Sequence, residues 1–309
     1  MGRESESKPS RNIAPLKKNT SNSKISVIVP ITKMANRLHN LNTWLSQLGD
    51  YQIEVILVHD IQDESTGGEL DAILSTISDS RITLVNGHFG APGLARNAGL
   101  LHATGEWICF WDSDDVPYPL HIFRAASLAD ESTDVVIGQF EFENELTGRC
   151  IDAKAVQSIN ALSNNPGIWR MVFRAESISG KTFSGWKLGE DQLFLEEFDL
   201  DSRKVCFVQE KFYRYFHGGK GHLTNNRELL IELYQVAKSG SNLILNYKGP
   251  NASFLSTIYS RQIVTCLLHG GIKLKVKSIV NLFVTFMAAS LIRKRELCFA
   301  PILILGNKG

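Results

Sequence analysis

The stretch ATGEWICFWDSDDVP, Ala103–Pro117, joins a short apolar run to a group of acids. The run Glu106–Trp111 has the length and composition of a strand that is covered on both faces of a sheet. Asp112, Asp114 and Asp115 follow it directly. Burying carboxylates is costly unless they are neutralised, and oxygen ligands of this kind favour Mg²⁺ or Mn²⁺. By itself, the D-x-D pattern fits equally well an Asp-rich turn that caps the next helix.

The same strand pattern recurs on both sides of this stretch. Four other short, β-branched and apolar segments are predicted strands: Ile25–Pro30, Ile53–His59, Arg81–Asn86 and Asp134–Phe140. Four further stretches are compatible with helices: Asn36–Leu48, Gly68–Ile77, Gly93–His102 and Pro119–Leu128. This alternation predicts an α/β fold with a mainly parallel sheet and helices on both faces. Ligands bind at the carboxyl ends of such strands, so His59–Asp60, Asn86–Gly93 and Asp112–Asp115 are expected along one rim.

The alternation weakens after Phe140. The segment FEFENELTGRC is predicted to form a hairpin or an excursion from the sheet, and Gly167–Ile178 a strand that leads into a helix. A loop enters another helix at about Gly189, Lys204–Phe216 returns to a strand pattern, and the rest of the chain is predicted to be helical.

Composition restricts the classes of function. The chain has 309 residues and a formal net charge of +1, so nothing global favours nucleic-acid binding. Its five scattered cysteines show no C-x-x-C spacing, which argues against a disulfide framework or a structural zinc site. Residues 1–23 are polar, lack an apolar core segment and are predicted to be a disordered leader rather than a signal peptide.

The C-terminal region contains the segment KLKVKSIVNLFVTFMAASLIRKRE. Its apolar run, Ile279–Ile292, is flanked by lysines and arginines and is shorter than the roughly 20 residues of a spanning helix. Two interpretations stay open: an interfacial helix on an anionic membrane, or a buried helix that closes the fold. The apolar piece CFAPILIL nearby favours membrane contact slightly.

Four segments in order carry a family resemblance: ISVIVP, EVILVHD, GLARNAGLLHATGEWICFWDSDDVPYP and GEDQLF. Together they resemble the family-2 glycosyltransferases of the GT-A fold, over roughly Lys24 to Asn226. The resemblance implies a Rossmann-like, mainly parallel mixed sheet flanked by helices, here with a C-terminal helical extension. It also implies Mn²⁺ or Mg²⁺ on the diphosphate of a nucleotide-sugar donor, with Asp112 and Asp114 as metal ligands. Asp115 is then expected nearby, supporting the metal ligands or contacting the sugar.

The resemblance also assigns donor-binding residues, which are Pro30, Asp60, Arg96, Asp112 and Ser113. Asp60 corresponds to the second of two acids that the family usually shows after the second strand, while His59 replaces the first. Residue patterns alone leave Asp60 as a loop residue and Arg96 as a surface group. A dinucleotide fingerprint is excluded because Gly90 and Gly93 do not give G-x-G-x-x-G.

The segment WKLGEDQLFLEEF matches the family's acid–base region. Asp191 corresponds to the general base that deprotonates the acceptor hydroxyl, and Glu190 is the neighbour that orients it or contacts acceptor. The same two acids also suit the first turn of a helix. Trp186 is a candidate for lining the acceptor pocket, although an aromatic side chain in a loop more often packs in the core.

The later segment YRYFHGGKGHLTNN resembles the family's loop near the metal and diphosphate. His217 is therefore expected as a third metal ligand, and Arg214 or Lys220 as a cation at the phosphates. His222 departs from the serine that is common in the family. The Q-x-x-R-W motif of processive synthases is absent from the sequence, which favours transfer of a single sugar.

These observations predict an inverting enzyme that moves one sugar from a nucleotide-sugar to a hydroxyl of a glycan or lipid-linked acceptor. The family resemblance alone implies UDP-sugar as the default donor. The expected organisation is a leader (1–23), a catalytic domain (24–226) and a helical region (227–309). The expected location is cytoplasmic, on the inner face of the plasma membrane if the last helices bind lipid. Two alternatives stay open: an inactive nucleotide-sugar-binding protein, and a nucleotidyltransferase. The latter would need a glycine-rich phosphate loop, which VPITKMANRL lacks despite Lys33 and Arg37.

Overall fold

The computed structural model describes residues 23–34, 37–62, 64–219, 226–246 and 252–291. Residues 1–22 of the predicted leader, Lys220, His222 and the segment CFAPILIL lie outside these residues. Nine strands are present in this described part: β1 Ile25–Ile31, β2 Ile53–Asp60, β3 Ile82–Gly87, β4 Trp107–Phe110, β5 Val116–Pro117, β6 Val135–Asn144, β7 Cys150–Asp152, β8 Met171–Arg174 and β9 Val205–His217.

Nine α-helices are described as well. They are α1 His39–Leu45, α2 Glu64–Thr76, α3 Pro92–Leu100, α4 Pro119–Leu128, α5 Ile159–Leu162, α6 Glu190–Phe198, α7 Leu230–Asn246, α8 Ala252–His269 and α9 Ile272–Leu291. Helix α2 begins earlier than predicted and continues through Gly67 and Gly68. The helix predicted at the end of Gly167–Ile178 is only a 3₁₀ turn after β8.

The sheet is mixed, with strand order β3-β2-β1-β4-β8-β6-β9-β5 and β7 paired to β6. The four strands β3, β2, β1 and β4 are mutually parallel, as the sequence predicted. Strand β8 is antiparallel to both β4 and β6, and β6 is parallel to β9. The hairpin predicted after Phe140 is present as the antiparallel pair β6 and β7.

This topology brings the carboxyl ends of several strands to one edge of the sheet. Two antiparallel steps, from β4 to β8 and from β8 to β6, restore the direction of β4, and β9 follows β6. The carboxyl ends of β2, β4, β6 and β9 therefore lie at the same edge. The edge carries Asp60, the Asp112–Asp115 loop, Asn144 and His217.

Two hydrophobic layers cover the sheet. One contains Trp44, Trp107 and Trp111 beside α1 and α4. The other contains Phe110 and Phe173 together with α6, α7 and α8, because Leu233 and Ile258 belong to the same buried cluster as these strand residues. Helices α7 and α8 thus pack on the core, and the domain boundary at residue 226 stays a prediction.

Helix α9 differs from α7 and α8. Ser278 and Asn281 are buried on its inner side, whereas Ile272, Val276, Ile279, Val280, Phe283 and Val284 are each more than half exposed. In the part of the chain that the structure describes, no helix has the length and apolar content needed to cross a membrane.

Candidate functional site

Arg96 links two of the predicted site acids. Its Nη2 donates to Asp112 Oδ1 at 2.8 Å, and its Nη1 donates to Glu190 Oε1 at 2.7 Å. Arg96 and Glu190 are both buried, while the Asp112 side chain is 31% exposed. A buried arginine with two carboxylates is held in one geometry because its planar donors match both acids. The structure places Arg96 between a strand-end acid and a helix-start acid, and its contact with the donor stays a prediction.

Local packing brings Arg96 and Glu190 together across the chain. The Asn97 side chain, next in sequence on α3, donates to the Phe183 carbonyl and accepts from the Phe183 amide, both at 2.8 Å. A Cβ atom at Gly93 would lie 2.4 Å from the Ser184 carbonyl oxygen, so only glycine permits this approach. The first turn of α3 therefore lies directly against the loop that precedes α6.

The loop then turns into α6 through Gly189, whose φ of +91° favours glycine. A Cβ atom there would approach Val236 and Leu233 on α7. Asp191 follows in the first turn of the helix. The C-terminal helices thus hold the segment that carries the predicted base.

Burial and neighbouring acids raise the pKa values of two carboxyl groups in the site. Desolvation raises the pKa of Asp112 to about 6, and the Arg96 guanidinium opposes this shift. Desolvation and the neighbouring Glu190 raise the pKa of Asp191 to about 7, again against Arg96. A carboxyl group with a pKa near neutrality is suited to take up and release a proton at physiological pH.

Asp114 and Asp115, which are neighbours in sequence, have different surroundings. The Asp114 carboxylate accepts from Arg37 Nη2 at 3.0 Å and is 22% exposed. Asp115 is buried, and its Oδ1 accepts from the Phe216 amide of β9 at 2.7 Å. Burial raises the pKa of Asp115 well above its usual range. Asp115 therefore connects the acidic loop to β9, a role that no local sequence pattern indicates.

The residues present fit a divalent cation. Asp112 and Asp114 carry partly exposed carboxylates. The charge of Asp114 contributes to the raised pKa of Asp112, and a bound cation would offset this repulsion. Within the residues described, no group of three or more His, Cys, Asp or Glu side chains is arranged to enclose a metal. The ring of His217 packs edge-on against Phe142, with centroids 6.0 Å apart, so its metal ligation stays a prediction.

Asp60 lies buried at the end of β2, where the sequence predicted a donor contact. Its Oδ2 accepts from the Gly90 amide at 2.7 Å, and Gly90 has φ of +71°. The neighbouring His59 is also buried; its Nδ1 lies 3.2 Å from Asn86 Oδ1, and its Nε2 has no hydrogen-bond partner. Asp60 thus shapes the loop between β3 and α3, and its contact with a base stays a prediction.

The remaining predicted residues have these positions. Pro30 lies near the end of β1 and is partly exposed, and Ser113 is buried between the two acids of the D-x-D pair. Trp186, in the loop before α6, is partly buried and packs against the hydrophobic core. Arg214 bonds Glu141 at 2.7 Å and Glu143 at 3.2 Å on β6, so its guanidinium is engaged there rather than with the D-x-D acids.

Sequence reasoning missed two residues. Arg37 was weighed only for a nucleotidyltransferase, yet it pairs with Asp114. Tyr213 of β9 accepts from the Asp112 amide through its hydroxyl at 2.9 Å and is fully buried. Successive side chains of a strand point to opposite faces, so Tyr213 and Arg214 lie on different faces of β9. This alternation is the sequence signal that indicates an inward-facing Tyr213.

Comparison with known proteins places these features in a family. Residues 26–186, more than half of the chain, match the model described as glycosyl transferase family 2. The chain is similar to the glycosyltransferase GlyG of Streptococcus pneumoniae, with 23% identity over 80% of this chain and 81% of the relative. Two further relatives, from Bacillus subtilis and S. pneumoniae, are longer, and the chain spans 60% and 38% of their lengths.

Two solved structures share the fold. Staphylococcus aureus TarS 1–349, in complex with UDP-GlcNAc, aligns with a TM-score of 0.65 at 21% identity, over 86% of this chain and 81% of that one. The mannosyltransferase PcManGT from Pyrobaculum calidifontis, in complex with GDP-Man and Mn²⁺, aligns with a TM-score of 0.52 at 15% identity, over 94% and 89% of the two chains. The fold is the one that the sequence predicted.

Proposed function

The chain belongs to glycosyltransferase family 2 and is an enzyme of the glycosyltransferase type, and we propose that it is an inverting transferase of one sugar from a nucleotide-sugar to a hydroxyl. The observation that carries this proposal is the buried Arg96, which joins Asp112 at the end of β4 to Glu190 beside Asp191. It fixes a donor-side acid and the base segment relative to each other before any ligand binds.

The donor side of the site consists of strand-end residues. Asp112 and Asp114 would hold Mn²⁺ or Mg²⁺ against the diphosphate, and Asp60, with Pro30 and Ser113, would contact the nucleoside. A cation bound there offsets the negative charge that develops on the leaving phosphate. The metal-bound Mannosyltransferase PcManGT and the UDP-GlcNAc-bound TarS support this assignment by fold only. UDP-sugar is the donor that we propose first.

Asp191 would accept the proton of the attacking hydroxyl. Its raised pKa, about 7, keeps the carboxylate basic enough for this task while part of the population is ionised at neutral pH. Glu190 is engaged with Arg96, so it would position the base segment rather than take the proton. Trp186 would line the acceptor entrance.

Helix α9 supports a further part of this proposal, namely peripheral contact with an anionic membrane. Its exposed apolar residues recur at helical spacing, and Lys273, Lys275 and Lys277 accompany them. An exposed apolar face with basic neighbours is typical of helices that lie in a lipid interface. The enzyme would then act at the cytoplasmic surface, on a glycan or lipid-linked acceptor.

Titration calorimetry with a panel of nucleoside diphosphates tests the proposed function. We expect the wild type to bind one nucleotide, UDP first, with Mn²⁺, and to lose most of the affinity with chelator. Asp114→Asn should reduce the metal dependence, whereas Asp71→Asn on α2, an acid outside the site, should not. Folded protein that binds no nucleotide, or binds it equally with chelator, would contradict the donor assignment.

A further inference from the structure

A cavity of about 770 Å³ lies between β6, the segment after β7, and helices α5 and α8. Phe140 and Phe142 form its apolar side, and Asn160, Asn164 and Thr257 contribute polar groups. Its size is that of small-molecule sites in general. None of the residues assigned to the donor lines it, so it is a separate part of the surface.

All charged side chains that line this cavity are positive. Lys154, Arg170 and Arg261 line it, and the described lining residues include no acid. The described part of the chain contains no ion pair for any of the three cations. This asymmetry is local, since the whole chain carries a formal net charge of only +1. A concave surface with cations of one sign concentrates anions.

Arg170 supplies buried charge beneath the cavity. Its side chain is fully buried, its Nε donates to the Gly138 carbonyl at 2.8 Å, and its Nη1 has no hydrogen-bond partner. Burial lowers its pKa to about 10, which leaves the guanidinium charged at neutral pH. Its partners are uncharged: the Gly138 carbonyl, the Gln139 side-chain oxygen and the Phe140 ring, 4.7 Å from the guanidinium carbon. A buried cation without an acidic partner favours a ligand that brings negative charge.

Arg261 and Lys154 are placed to contact such a ligand directly. Arg261, on α8, is partly exposed, and its Nη1 donates to the Asn164 carbonyl, which fixes one side of the guanidinium. Lys154 is exposed on the opposite segment after β7. The nearby Asp152 is paired with Lys211 and does not neutralise the two cations.

The cavity is connected to the candidate active site. The ring of Phe142, in its wall, contacts the ring of His217 at the carboxyl end of β9. Trp169, adjacent to Arg170, stacks on Tyr213 with centroids 4.7 Å apart, and the Tyr213 hydroxyl bonds the Asp112 amide. The cavity therefore lies along the same rim as the acids.

A second cavity, of about 270 Å³, adjoins the first. The two share five lining residues: Ser163, Asn164, Asn165, Arg261 and Thr265. The second cavity also reaches Leu188 and Gln192, which flank the Gly189–Asp191 turn. Gln192 and Gln262 line this second cavity. Gln192 Oε1, Gln262 Oε1 and Gln262 Nε2 are buried and have no hydrogen-bond partner. Unpartnered amides of this kind suit the hydroxyl groups of a sugar or polyol.

We propose that the acceptor is an anionic glycan or polyol chain, whose phosphate or carboxylate binds at Arg261 and Lys154 above Arg170. Its hydroxyl-bearing part lies in the smaller cavity, at Gln192 and Gln262, and directs one hydroxyl toward Asp191. This inference rests on the proposed function, because it names the acceptor class of the same site. Phosphate and carboxylate share the chemistry that the cations recognise.

A ligand-detected NMR titration tests the anion site with the donor site filled by UDP and Mn²⁺. The probes are glycerol 3-phosphate, glucuronate and neutral glucose. We expect at least one anion to bind the wild type and glucose not to bind detectably. Arg261→Gln should weaken the anion by about tenfold or more, as expected for a lost charge-assisted hydrogen bond. Arg124→Gln on α4, an exposed arginine outside the cavity, is the matched control and should bind as the wild type does.

The outcomes separate the two proposals. Binding of glycerol 3-phosphate alone identifies a phosphate-bearing acceptor, and binding of glucuronate alone identifies an acidic sugar; both support the inference. Absence of anion binding, or equal binding by Arg261→Gln and Lys154→Gln, overturns it, even if UDP binds with Mn²⁺. Failure of every nucleoside diphosphate to bind overturns the proposed donor site instead. Lys154→Gln, on an exposed segment, keeps the test valid if Arg261→Gln does not fold.

Discussion

The central feature at the scale of single residues is one buried guanidinium among several acids. Arg96 lowers the pKa values of Asp112 and Asp191, while desolvation and repulsion between the acids raise them. Desolvation is the largest influence on both Asp112 and Asp191, so their pKa values stay above that of an exposed carboxyl group. Ionising these acids is therefore unfavourable because they are buried and repel each other, and a bound cation would reduce this cost.

Asp191→Asn should reduce turnover by about 10²–10⁴-fold while leaving UDP binding intact, because an amide cannot accept the hydroxyl proton. In the wild type, kcat/KM should rise with pH through about 7, since Asp191 must be ionised to act as the base. The same raised pKa makes ionised Asp191 unfavourable for folding. The free energy of unfolding should therefore fall as the pH rises from the pKa of Asp191 in the unfolded chain to about 7.

The Asp191→Asn protein should therefore be at least as stable as the wild type at pH 8. Thermal denaturation and pH–rate profiles check the two expectations separately. A variant that loses UDP affinity in parallel with turnover, or keeps the wild-type pH–rate profile, would show that Asp191 is not the base.

Arg96→Met should destabilise the fold by about 3–5 kcal/mol, because it leaves buried acids without a counter-charge. Urea unfolding of Arg96→Met, Glu190→Gln and the double variant measures the coupling. The loss should be larger at pH 8 than at pH 5, since Asp112 with a pKa of about 6 can become neutral at the lower pH.

The double variant should lose less free energy of unfolding than the sum of the losses in the two single variants. The difference should be about 0.5–3 kcal/mol, as is typical of residues in contact. Arg203→Met is the control, because the nearest carboxylate oxygen lies 4.0 Å away and a partly exposed pair contributes at most about 1 kcal/mol. Additive losses at both pH values would mean that Arg96 does not couple to Glu190.

At the scale of elements, the position of Arg96 depends on the contact between α3 and the loop before α6. Asn97 holds Phe183 through two hydrogen bonds, and Phe183 stacks on Phe194 of α6 with centroids 4.2 Å apart. Helix α3 thus meets the loop before α6 through a close backbone contact at Gly93 that only a glycine allows. Sequence periodicity finds each helix but not their approach.

Gly93→Ala should destabilise the protein by about 1–3 kcal/mol and lower activity, because the added methyl group meets backbone that cannot move aside. Gly68→Ala in α2 is the matched control: nothing lies within 4 Å of its Cβ position, so the helix should gain up to about 1 kcal/mol. Denaturant unfolding measures both. Equal effects of the two substitutions would contradict the close approach of α3.

At the scale of the whole molecule, the C-terminal helices divide into two kinds. Helices α7 and α8 share a buried cluster with the sheet, whereas α9 presents apolar side chains outward. Both interpretations that the sequence leaves open concern the run Ile279–Ile292, which begins within α9. Packing on the core is observed for α7 and α8, and membrane contact is proposed for α9.

Replacing Ile279 and Phe283 by serine together should release the protein from anionic vesicles in a flotation assay. These side chains are 55% and 63% exposed, so their loss should leave the core intact. A Leu101→Ser and Leu146→Ser variant, at residues that are 87% and 77% exposed elsewhere, is the control and should still float. Flotation unchanged by the α9 substitutions, or equal flotation with neutral vesicles, would contradict an anionic lipid interface.

The sequence by itself determined the strand–helix alternation, the parallel arrangement of the first four strands and the rim on which Asp60 and Asp112 lie. Those follow from local periodicity and from the rule that parallel strands end at one edge. Only the tertiary structure decided that Arg96 faces two acids, that Arg37 pairs with Asp114, and that Asp115 bonds β9. It also gathered Lys154, Arg170 and Arg261 at one cavity. These partners are far apart in sequence, and their contacts depend on how helices and loops pack, which no local pattern encodes.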